Sequence, residues 1–284
     1  MTFNKIMHDS KDKYLYDYEH ISKRNIDQYE CKNKISVIIP VYNEEKSIKK
    51  VIEAIPNHYE YEIIVVNDGS SDNTLEVLKK IEREIKIINH KINRGYGASI
   101  LRGFAESTGE YIITIDSDGQ HDPKEIPFLL KPLIQKQADI VVGSRYKGKS
   151  EYKVPLYTRA GEYIVNLFLW FLFHQKVGNN QSGFRAFSAR SKQILKNMVY
   201  TKFGLCTETL FKAAYNNLKI VEVPITISSR KFGKSRVNIF RILKTIISCV
   251  ILYFAIKINL KRFVPRKLYH QAHIIFTKIF DIVN

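Results

Sequence analysis

Short apolar segments alternate with helix-like segments through the first half of the chain, and this alternation constrains the fold more than any other feature. The apolar segments occupy residues 35–40, 62–66, 85–88, 111–116 and 139–144. Segments 72–84 and 123–136, which lie between them, have the length and polarity of helices. Continuous apolar strands that alternate with helices are typical of a mostly parallel sheet covered on both faces, so the sequence predicts an α/β fold.

Polar or glycine-rich residues follow the first four of these segments, where the strands are predicted to end. They are residues 42–44, 67–70, 93–97 and 116–118. Ligands of open parallel sheets bind beyond the carboxyl ends of the strands. The sequence therefore predicts an active site along this one edge of the sheet.

The fourth apolar segment ends in two carboxylates, Asp116 and Asp118, which are two residues apart. In an extended chain the side chains at i and i+2 point the same way, so both can approach one cation. Paired carboxylates suit hard divalent ions such as Mg²⁺ or Mn²⁺, and Gln120 can add a carbonyl oxygen. A solvated turn with helix-capping acids is the alternative, and the pair alone leaves both open.

Several other ligand motifs are excluded by residues at fixed positions. A calcium loop that began at Asp116 would need glycine and glutamate where the chain has His121 and Pro127. The segment 95–100 lacks the third glycine of a dinucleotide fingerprint, because Ile100 stands there, and no Walker A sequence occurs. The three cysteines lie far apart with no CxxC pair, which argues against a zinc module or a disulfide framework.

The chain is strongly basic, with 45 Lys and Arg against 28 Asp and Glu, a formal net charge of +17. This excess favours an anionic partner: nucleic acid, a membrane surface or a phosphate-rich substrate. Nucleic acid is the least favoured, because the aromatic residues lie in apolar segments rather than along a basic face. The polar N-terminal segment lacks the apolar core of a secretory signal, which predicts a cytoplasmic catalytic part.

The second half of the chain carries apolar segments of a different kind. Residues 163–173 are almost entirely apolar, and residues 245–256 are twelve uncharged residues bordered by lysines. Twelve is short of the ~20 that a spanning helix needs. We therefore expect residues 239–260 and 270–284 to form helices that lie in the membrane interface, with lysine and arginine at the headgroups. Two alternatives stay open. Residues 239–260 can span the bilayer with their lysines snorkelling to the headgroups, or these helices can pack on the protein's own core.

Seven segments in a fixed order carry a resemblance to a known family. The chain closely resembles glycosyltransferase family 2, in its dolichol-phosphate mannose synthase-like or polyprenyl-phosphate branch, over roughly residues 35–236. The matching segments are SVIIPVYNEE, VVNDGSSDNT, NRGYGASILRGF, DSDGQHDP, VGSRY, QSGFRAF and VPITISSRKFGKSR. The resemblance implies a GT-A domain over residues 31–236. The residue pattern predicts an N-terminal charged extension before it (1–30) and C-terminal membrane-associating helices after it (237–284).

The resemblance also implies an activity and a donor site. It implies an enzyme that binds a UDP- or GDP-sugar with Mg²⁺ or Mn²⁺ and glycosylates a polyprenyl or dolichyl phosphate with inversion, at the cytoplasmic face of the membrane. Asp116, Asp118 and Gln120 match the family's metal-facing positions, of which Asp116 and Gln120 also face the nucleotide-sugar. The implied nucleoside pocket, in which Asp68 would read the base or the ribose, is lined by Pro40, Tyr42, Asn43, Glu44 and Asp68.

Four basic residues match positions that meet phosphates in the family. Arg145 and Arg159 match residues that meet the acceptor phosphate, and Arg230 and Lys234 match a flexible basic loop that closes over the phosphates. With Asp118 they form the implied catalytic set. Ordinary alternatives stay open, since arginines are mostly surface residues and Tyr42 can simply pack.

No side chain in the sequence stands out as a general base. The second pKa of a phosphomonoester is near ~6, so the implied acceptor is largely dianionic at neutral pH and needs no strong base. We accordingly interpret His121 as a brace of the metal loop and Glu208 as a capping or ion-pairing residue. One departure from the family is Asn179, where relatives often carry aspartate. The sugar stays open, and a soluble or polysaccharide acceptor is the main alternative.

Overall fold

The computed structural model describes residues 34–57, 59–151, 154–196, 198–202, 204–230, 247–249, 251 and 253–254. The predicted N-terminal extension, Cys31, the basic residue Lys234 and most of the predicted C-terminal helices lie outside these residues.

One seven-stranded sheet forms the centre of the described structure. Its order is β3-β2-β1-β4-β6-β5-β7. Neighbouring pairs are parallel except those of β6, which runs antiparallel to β4 and to β5. The strands are β1 (Ile35–Val41), β2 (Tyr61–Asn67), β3 (Lys86–Asn89), β4 (Tyr111–Thr114), β5 (Ile140–Ser150), β6 (Arg185–Phe187) and β7 (Ile220–Ile227). All five strands predicted from the apolar segments are present, which confirms the mostly parallel α/β fold.

The antiparallel strand β6 was not predicted, because three residues are too few to show a periodic pattern. Its pairing places the segment that precedes it, residues 179–184, beside the carboxyl end of β4. The Thr114 hydroxyl donates to the Gly183 carbonyl at 2.7 Å, and the Gly143 amide donates to the Phe184 carbonyl at 2.9 Å. A segment distant in sequence is thereby fixed at the predicted active-site edge.

Within residues 34–230, as far as the structure describes them, six α-helices flank the sheet. They are α1 (Ile48–Glu53), α2 (Thr74–Lys79), α3 (Tyr96–Glu106), α4 (Ile126–Ile134), α5 (Leu156–Phe173) and α6 (Gly204–Tyr215). Short 3₁₀ helices span Pro123–Glu125 and Ala189–Leu195. Helix α2 is shorter than the predicted 72–84. Beyond its end, the Arg83 guanidinium donates to the Ile55 carbonyl at 2.6 Å, so this residue ties the chain to the end of α1 instead of extending α2.

Both faces of the sheet are buried, as continuous apolar strands require. Alternate residues of β1, including Val37 and Ile39, pack with α1 and α4, whereas Ile38 packs with α5 and α6. Helix α3 approaches β1 closely, since a Cβ atom at Gly103 would lie 2.3 Å from the Ile38 side chain. The sheet is therefore a rigid platform for the loops at its carboxyl edge.

The described part of the predicted helix 239–260 is residues 247–249, 251 and 253–254, and these are helical. Tyr253 is buried, with its ring 5.7 Å from that of Phe211, so this part packs on α6. Ile247 and Ile251 are exposed. Among the described residues, no helix combines the length and the apolar character that crossing a bilayer requires.

Candidate active site

The loops that follow β1 and β2 are joined by side chain–backbone hydrogen bonds. Asn43 adopts a left-handed backbone, with φ of 56°, a conformation that asparagine tolerates better than most residues. Its amide donates to the Ser70 hydroxyl at 2.9 Å, and its side-chain oxygen accepts from the Ser71 amide at 2.7 Å. The Glu44 amide donates to the Thr74 hydroxyl at 2.9 Å. The predicted nucleoside residues after β1 thus belong to one preorganised surface.

The remaining predicted nucleoside residues differ in accessibility. Pro40 is buried within β1, while Tyr42 is half-buried at the start of the loop. Asp68 is buried, and its carboxylate accepts from the Arg94 and Gly95 amides at 2.9 and 2.8 Å. Asp68 therefore fixes the loop before α3, a bracing role that the sequence did not suggest. That it also reads the base or ribose stays a prediction.

The two metal-candidate carboxylates lie just beyond β4, as predicted. The strand ends at Thr114, but the in–out alternation continues: Ser117 is buried, whereas Asp116 and Asp118 are both partly exposed. Their side chains therefore emerge on the same side of the chain. The imidazole of His121 lies 3.4 Å from the Asp116 carboxylate and packs on the Phe184 ring, which agrees with the expected bracing role.

Asp118 is contacted by a cation from a distant part of the chain. Arg230, just past the end of β7, donates from Nη2 to the Asp118 carboxylate at 2.6 Å. The same nitrogen lies 3.7 Å from the Glu44 carboxylate. The Arg230 guanidinium thus lies between the Glu44 carboxylate after β1 and the Asp118 carboxylate after β4. These two carboxylates stabilise a positive charge between them.

The metal-candidate loop and the end of β7 are held together by a short series of hydrogen bonds. The Gln120 side chain donates to the Ser228 carbonyl at 3.2 Å, and the Ser228 amide donates to the Gln120 carbonyl at 2.9 Å. Both carboxylate oxygens of Glu125 accept from the Thr226 amide at 3.0 Å. The chain that carries Arg230 is therefore anchored at the active-site edge.

The buried Glu125 makes stability depend on pH. Burial raises the pKa of its carboxyl above the ordinary 4.5, so the folded state holds this proton more tightly than the unfolded state does. The stabilisation is complete below pH 4.5 and is lost as pH rises through the folded pKa. We expect Glu125→Gln, which cannot ionise, to gain stability relative to the wild type between about pH 5 and about pH 8.

Urea unfolding of both proteins at the two pH values measures this difference. The exposed Glu76 on α2 provides the control variant, Glu76→Gln, which should follow the wild type at both pH values. A Glu125→Gln difference that did not change with pH would contradict the prediction.

The donor set fits a hard divalent cation that shares its coordination shell with a substrate. Asp116 and Asp118 supply carboxylate oxygens, and among the described residues no group of three or more His, Cys, Asp or Glu is arranged to hold a metal by itself. Mg²⁺ is commonly bound through one or two carboxylates plus substrate phosphates rather than in an all-protein cage. Two carboxylates at an open sheet edge match that pattern.

The predicted acceptor-phosphate residues lie on two elements, Arg145 on β5 and Arg159 on the first turn of α5. The Arg145 guanidinium donates to the Glu162 carboxylate at 2.8 Å, and the Tyr146 hydroxyl donates to the same carboxylate. Burial raises the pKa of the Glu162 carboxyl, an effect that the neighbouring Arg145 opposes. Arg159 lies one helical turn before Glu162 and is exposed. The sequence did not suggest Glu162, which holds Arg145 in place.

Helix α5 presents an exposed apolar face. Side chains spaced seven, eleven and fourteen residues apart lie on one side of a helix. The exposed side chains on this face are Leu156, Tyr163, Leu167 and Trp170, and the exposed Phe171 lies beside them. Isolated exposed apolar residues are common, but a contiguous apolar strip marks an interaction surface.

The segment before β6 contains buried polar residues whose contacts explain the departure at Asn179. The Asn179 side-chain amide donates to the Gly143 carbonyl at 3.0 Å, and its backbone amide donates to the Glu222 carboxylate at 2.7 Å. An ionised aspartate could not donate to that carbonyl and would place a second carboxylate beside Glu222. Asparagine is therefore the residue that suits this environment.

Comparisons with known proteins agree with this architecture. The glycosyl transferase family 2 model matches residues 36–196, more than half of the chain. A UDP-N-acetylglucosamine–dolichyl-phosphate N-acetylglucosaminyltransferase from Methanococcus voltae is 35% identical over 71% of this chain and 88% of its own length. A dolichol-phosphate mannosyltransferase from Pyrococcus furiosus is 32% identical over 72% of this chain, which spans 59% of that relative.

The fold is also similar to that of solved structures. Glucosyl-3-phosphoglycerate synthase from Mycobacterium tuberculosis, in complex with Mn²⁺, UDP and phosphoglyceric acid, superimposes with a TM-score of 0.63 at 21% identity, over 80% of this chain and 81% of that one. The resemblance predicted from the sequence motifs is confirmed. The chain belongs to glycosyltransferase family 2 and has the GT-A fold.

Proposed function

We propose that this enzyme transfers a hexose or N-acetylhexosamine from a UDP- or GDP-sugar to a polyprenyl or dolichyl phosphate at a membrane surface. One observation carries the proposal: the metal-candidate edge and the apolar face of α5 are linked through one turn. In that turn Gly183 lies against Asp116, and the Asn180 side chain donates to the Glu162 carbonyl on α5 at 2.8 Å. The relatives named for dolichyl-phosphate substrates support the same acceptor class.

The proposed reaction is a single displacement at the anomeric carbon. A phosphate oxygen of the acceptor forms the new bond to this carbon, the bond to the nucleoside diphosphate breaks on the opposite side, and the linkage is inverted. The dianionic acceptor has no proton to lose, so no general base is required.

Arg145 and Arg159 hold the acceptor phosphate, while Arg230 and Lys234 approach the phosphates from the chain beyond β7. Positioning and electrostatics then supply most of the rate.

The leaving diphosphate carries charge that must be offset. A divalent cation held by Asp116 and Asp118, with Gln120 beside them, would neutralise part of it when bound. Arg230 contributes a second positive charge at one of these carboxylates, 2.6 Å from Asp118. Within the proposed function, Mg²⁺ or Mn²⁺ is the cofactor.

The acceptor class explains the exposed face of α5. An acceptor phosphate lies at headgroup level, so the enzyme must bring its edge to the membrane. We expect the double variant Trp170→Ser/Phe171→Ser to bind vesicles of phosphatidylcholine and phosphatidylglycerol about 10- to 100-fold more weakly, because two large apolar side chains no longer enter the interface. Vesicle sedimentation measures the change.

The matched control is Ile92→Ser, which removes a side chain that is 70% exposed on the loop after β3, at the far edge of the sheet. It should leave vesicle binding unchanged. Equal binding by the α5 double variant and the wild type would remove α5 from the membrane contact.

The proposed function is tested by transfer of labelled sugar to polyprenyl phosphate. A panel of UDP- and GDP-sugars is supplied with and without Mn²⁺ or Mg²⁺, and the lipid extract is counted. Metal-dependent transfer from one donor supports the proposal and identifies the sugar. Faster transfer to a short water-soluble acceptor would favour the alternative, a family 2 enzyme with a soluble or polysaccharide acceptor. Nucleic acid is not a proposed partner, and DNA binding without nucleotide-sugar binding would contradict the proposal.

A further inference from the structure

The carboxylate of Asp116 fills the space where the side chain of residue 183 would otherwise lie. A Cβ atom at Gly183 would lie 2.3 and 2.4 Å from the two carboxylate oxygens of Asp116 and 2.6 Å from its carboxyl carbon. These three atoms are the nearest to that position, and all belong to Asp116. No real Cβ atom tolerates such distances, so any larger residue at 183 must displace the carboxylate.

The backbone at Gly183 does not itself require glycine. The described glycines with positive φ are Gly69, Gly95 and Gly119, and Gly183 is not among them. A left-handed backbone therefore does not explain why residue 183 is glycine. The Asp116 carboxylate explains it, because this carboxylate occupies the space that a side chain at 183 would need.

Two more groups confine the same carboxylate. Tyr96, half-buried at the start of α3, is hydrogen-bonded through its hydroxyl to Asp116, and the His121 imidazole lies 3.4 Å from the same carboxylate. The Gly183 carbonyl is in turn fixed by the Thr114 hydroxyl at 2.7 Å. The partly exposed Asp116 carboxylate is thus contacted by groups from α3, from its own loop and from the turn before β6.

We infer that Gly183 and Tyr96 are positioning residues that fix the Asp116 carboxylate for binding a divalent cation. The inference rests on the metal-assisted reaction proposed above and adds the residues that set the geometry of one ligand. Neither residue supplies an atom to the cation. Groups of this kind orient metal ligands, and their loss typically weakens metal affinity 10- to 100-fold.

Mn²⁺ affinity of the full chain, measured by electron paramagnetic resonance with saturating UDP or GDP, tests the inference. Gly183→Ala is expected to weaken Mn²⁺ binding about 10-fold or more, and Tyr96→Phe by a smaller factor. The control is Gly178→Ala, where the new methyl group meets nothing closer than 3.6 Å. Wild-type affinity in both Gly183→Ala and Tyr96→Phe would overturn the inference.

A stability cycle separates displacement of Asp116 from general damage to the turn. Gly183→Ala should lower the Tm of the wild type but not that of Asp116→Ala, in which no carboxylate obstructs the methyl group. An equal loss of Tm in both backgrounds would overturn the inference, because the methyl group would then clash with something else.

The two proposals fail in distinguishable ways. A wild-type protein that binds no Mn²⁺ with either nucleotide would overturn the metal-assisted function and this inference together. A wild-type protein that binds Mn²⁺, together with Gly183→Ala and Tyr96→Phe proteins that bind it equally, would overturn only the positioning role.

Discussion

Replacing Asp118 by alanine is expected to reduce sugar transfer by about 10²- to 10³-fold or more, the loss that follows removal of one group stabilising charge in a transition state. Asp118 carries a double role in the proposed reaction. It supplies a ligand oxygen for the divalent cation, and its carboxylate accepts from Arg230 at 2.6 Å. Alanine removes both the ligand and the anchor of the basic residue.

The fold should survive this substitution. Asp118 is partly exposed, lies after the end of β4, and its only described backbone donor is Gln120, at 3.0 Å. Asp118→Asn keeps an oxygen for that amide but removes the charge, so it should be about as inactive as Asp118→Ala. The matched control is Asp122→Ala, an exposed carboxylate on the same loop that caps the 3₁₀ helix. Near-normal transfer by Asp118→Ala would refute the metal assignment.

Arg185→Lys is expected to lower the free energy of unfolding by about 3 kcal/mol or more. The Arg185 guanidinium is buried and donates to the carbonyls of Ser182 at 2.8 Å, Cys206 at 2.9 Å and Asn180 at 2.7 Å. A lysine ammonium is a compact donor on a flexible chain and cannot reproduce the planar fork. Each buried carbonyl left without a donor costs about 1–3 kcal/mol.

Thermal unfolding measures the loss. For a chain of this size 1 kcal/mol corresponds to roughly 2–4 °C, so the Tm should fall by on the order of 10 °C. The same substitution at Arg190, whose side chain is 68% exposed and 3.6 Å from Asp139, is the control and should change the Tm little. If Arg185→Lys melted with the wild type, the guanidinium would not be holding the turn.

This variant should also lose activity beyond its loss of stability. The turn that Arg185 holds contains Gly183, against which the Asp116 carboxylate lies. Transfer measured well below the Tm of the variant separates the two effects. The sequence alone shows Arg185 only as part of the QSGFRAF segment. The neighbouring residues do not indicate that its guanidinium is buried and donates to three carbonyls.

Much of the fold was readable from local pattern. Strands β1, β2 and β4 are continuous runs of β-branched and other apolar residues, and such runs have few alternatives to a doubly covered parallel sheet. Strand β6 was not readable, because Arg185–Phe187 has no periodicity of its own and forms only between β4 and β5. A strand this short is stabilised by its backbone hydrogen bonds to the two neighbouring strands.

The candidate site divides in the same way. The sequence by itself determined the family, because its seven motifs occur in the family's order, and it placed Asp116 and Asp118 together at the end of an apolar strand, where a cation and a diphosphate are proposed to bind. Only the tertiary structure decided that Arg230 contacts Asp118, that Glu162 holds Arg145, and that Gly183 leaves room for Asp116. Sequence pattern reports which groups are available along one stretch of chain. Contacts between residues separated by 112, 17 and 67 positions depend on how the sheet brings distant strands together, and no local pattern encodes that.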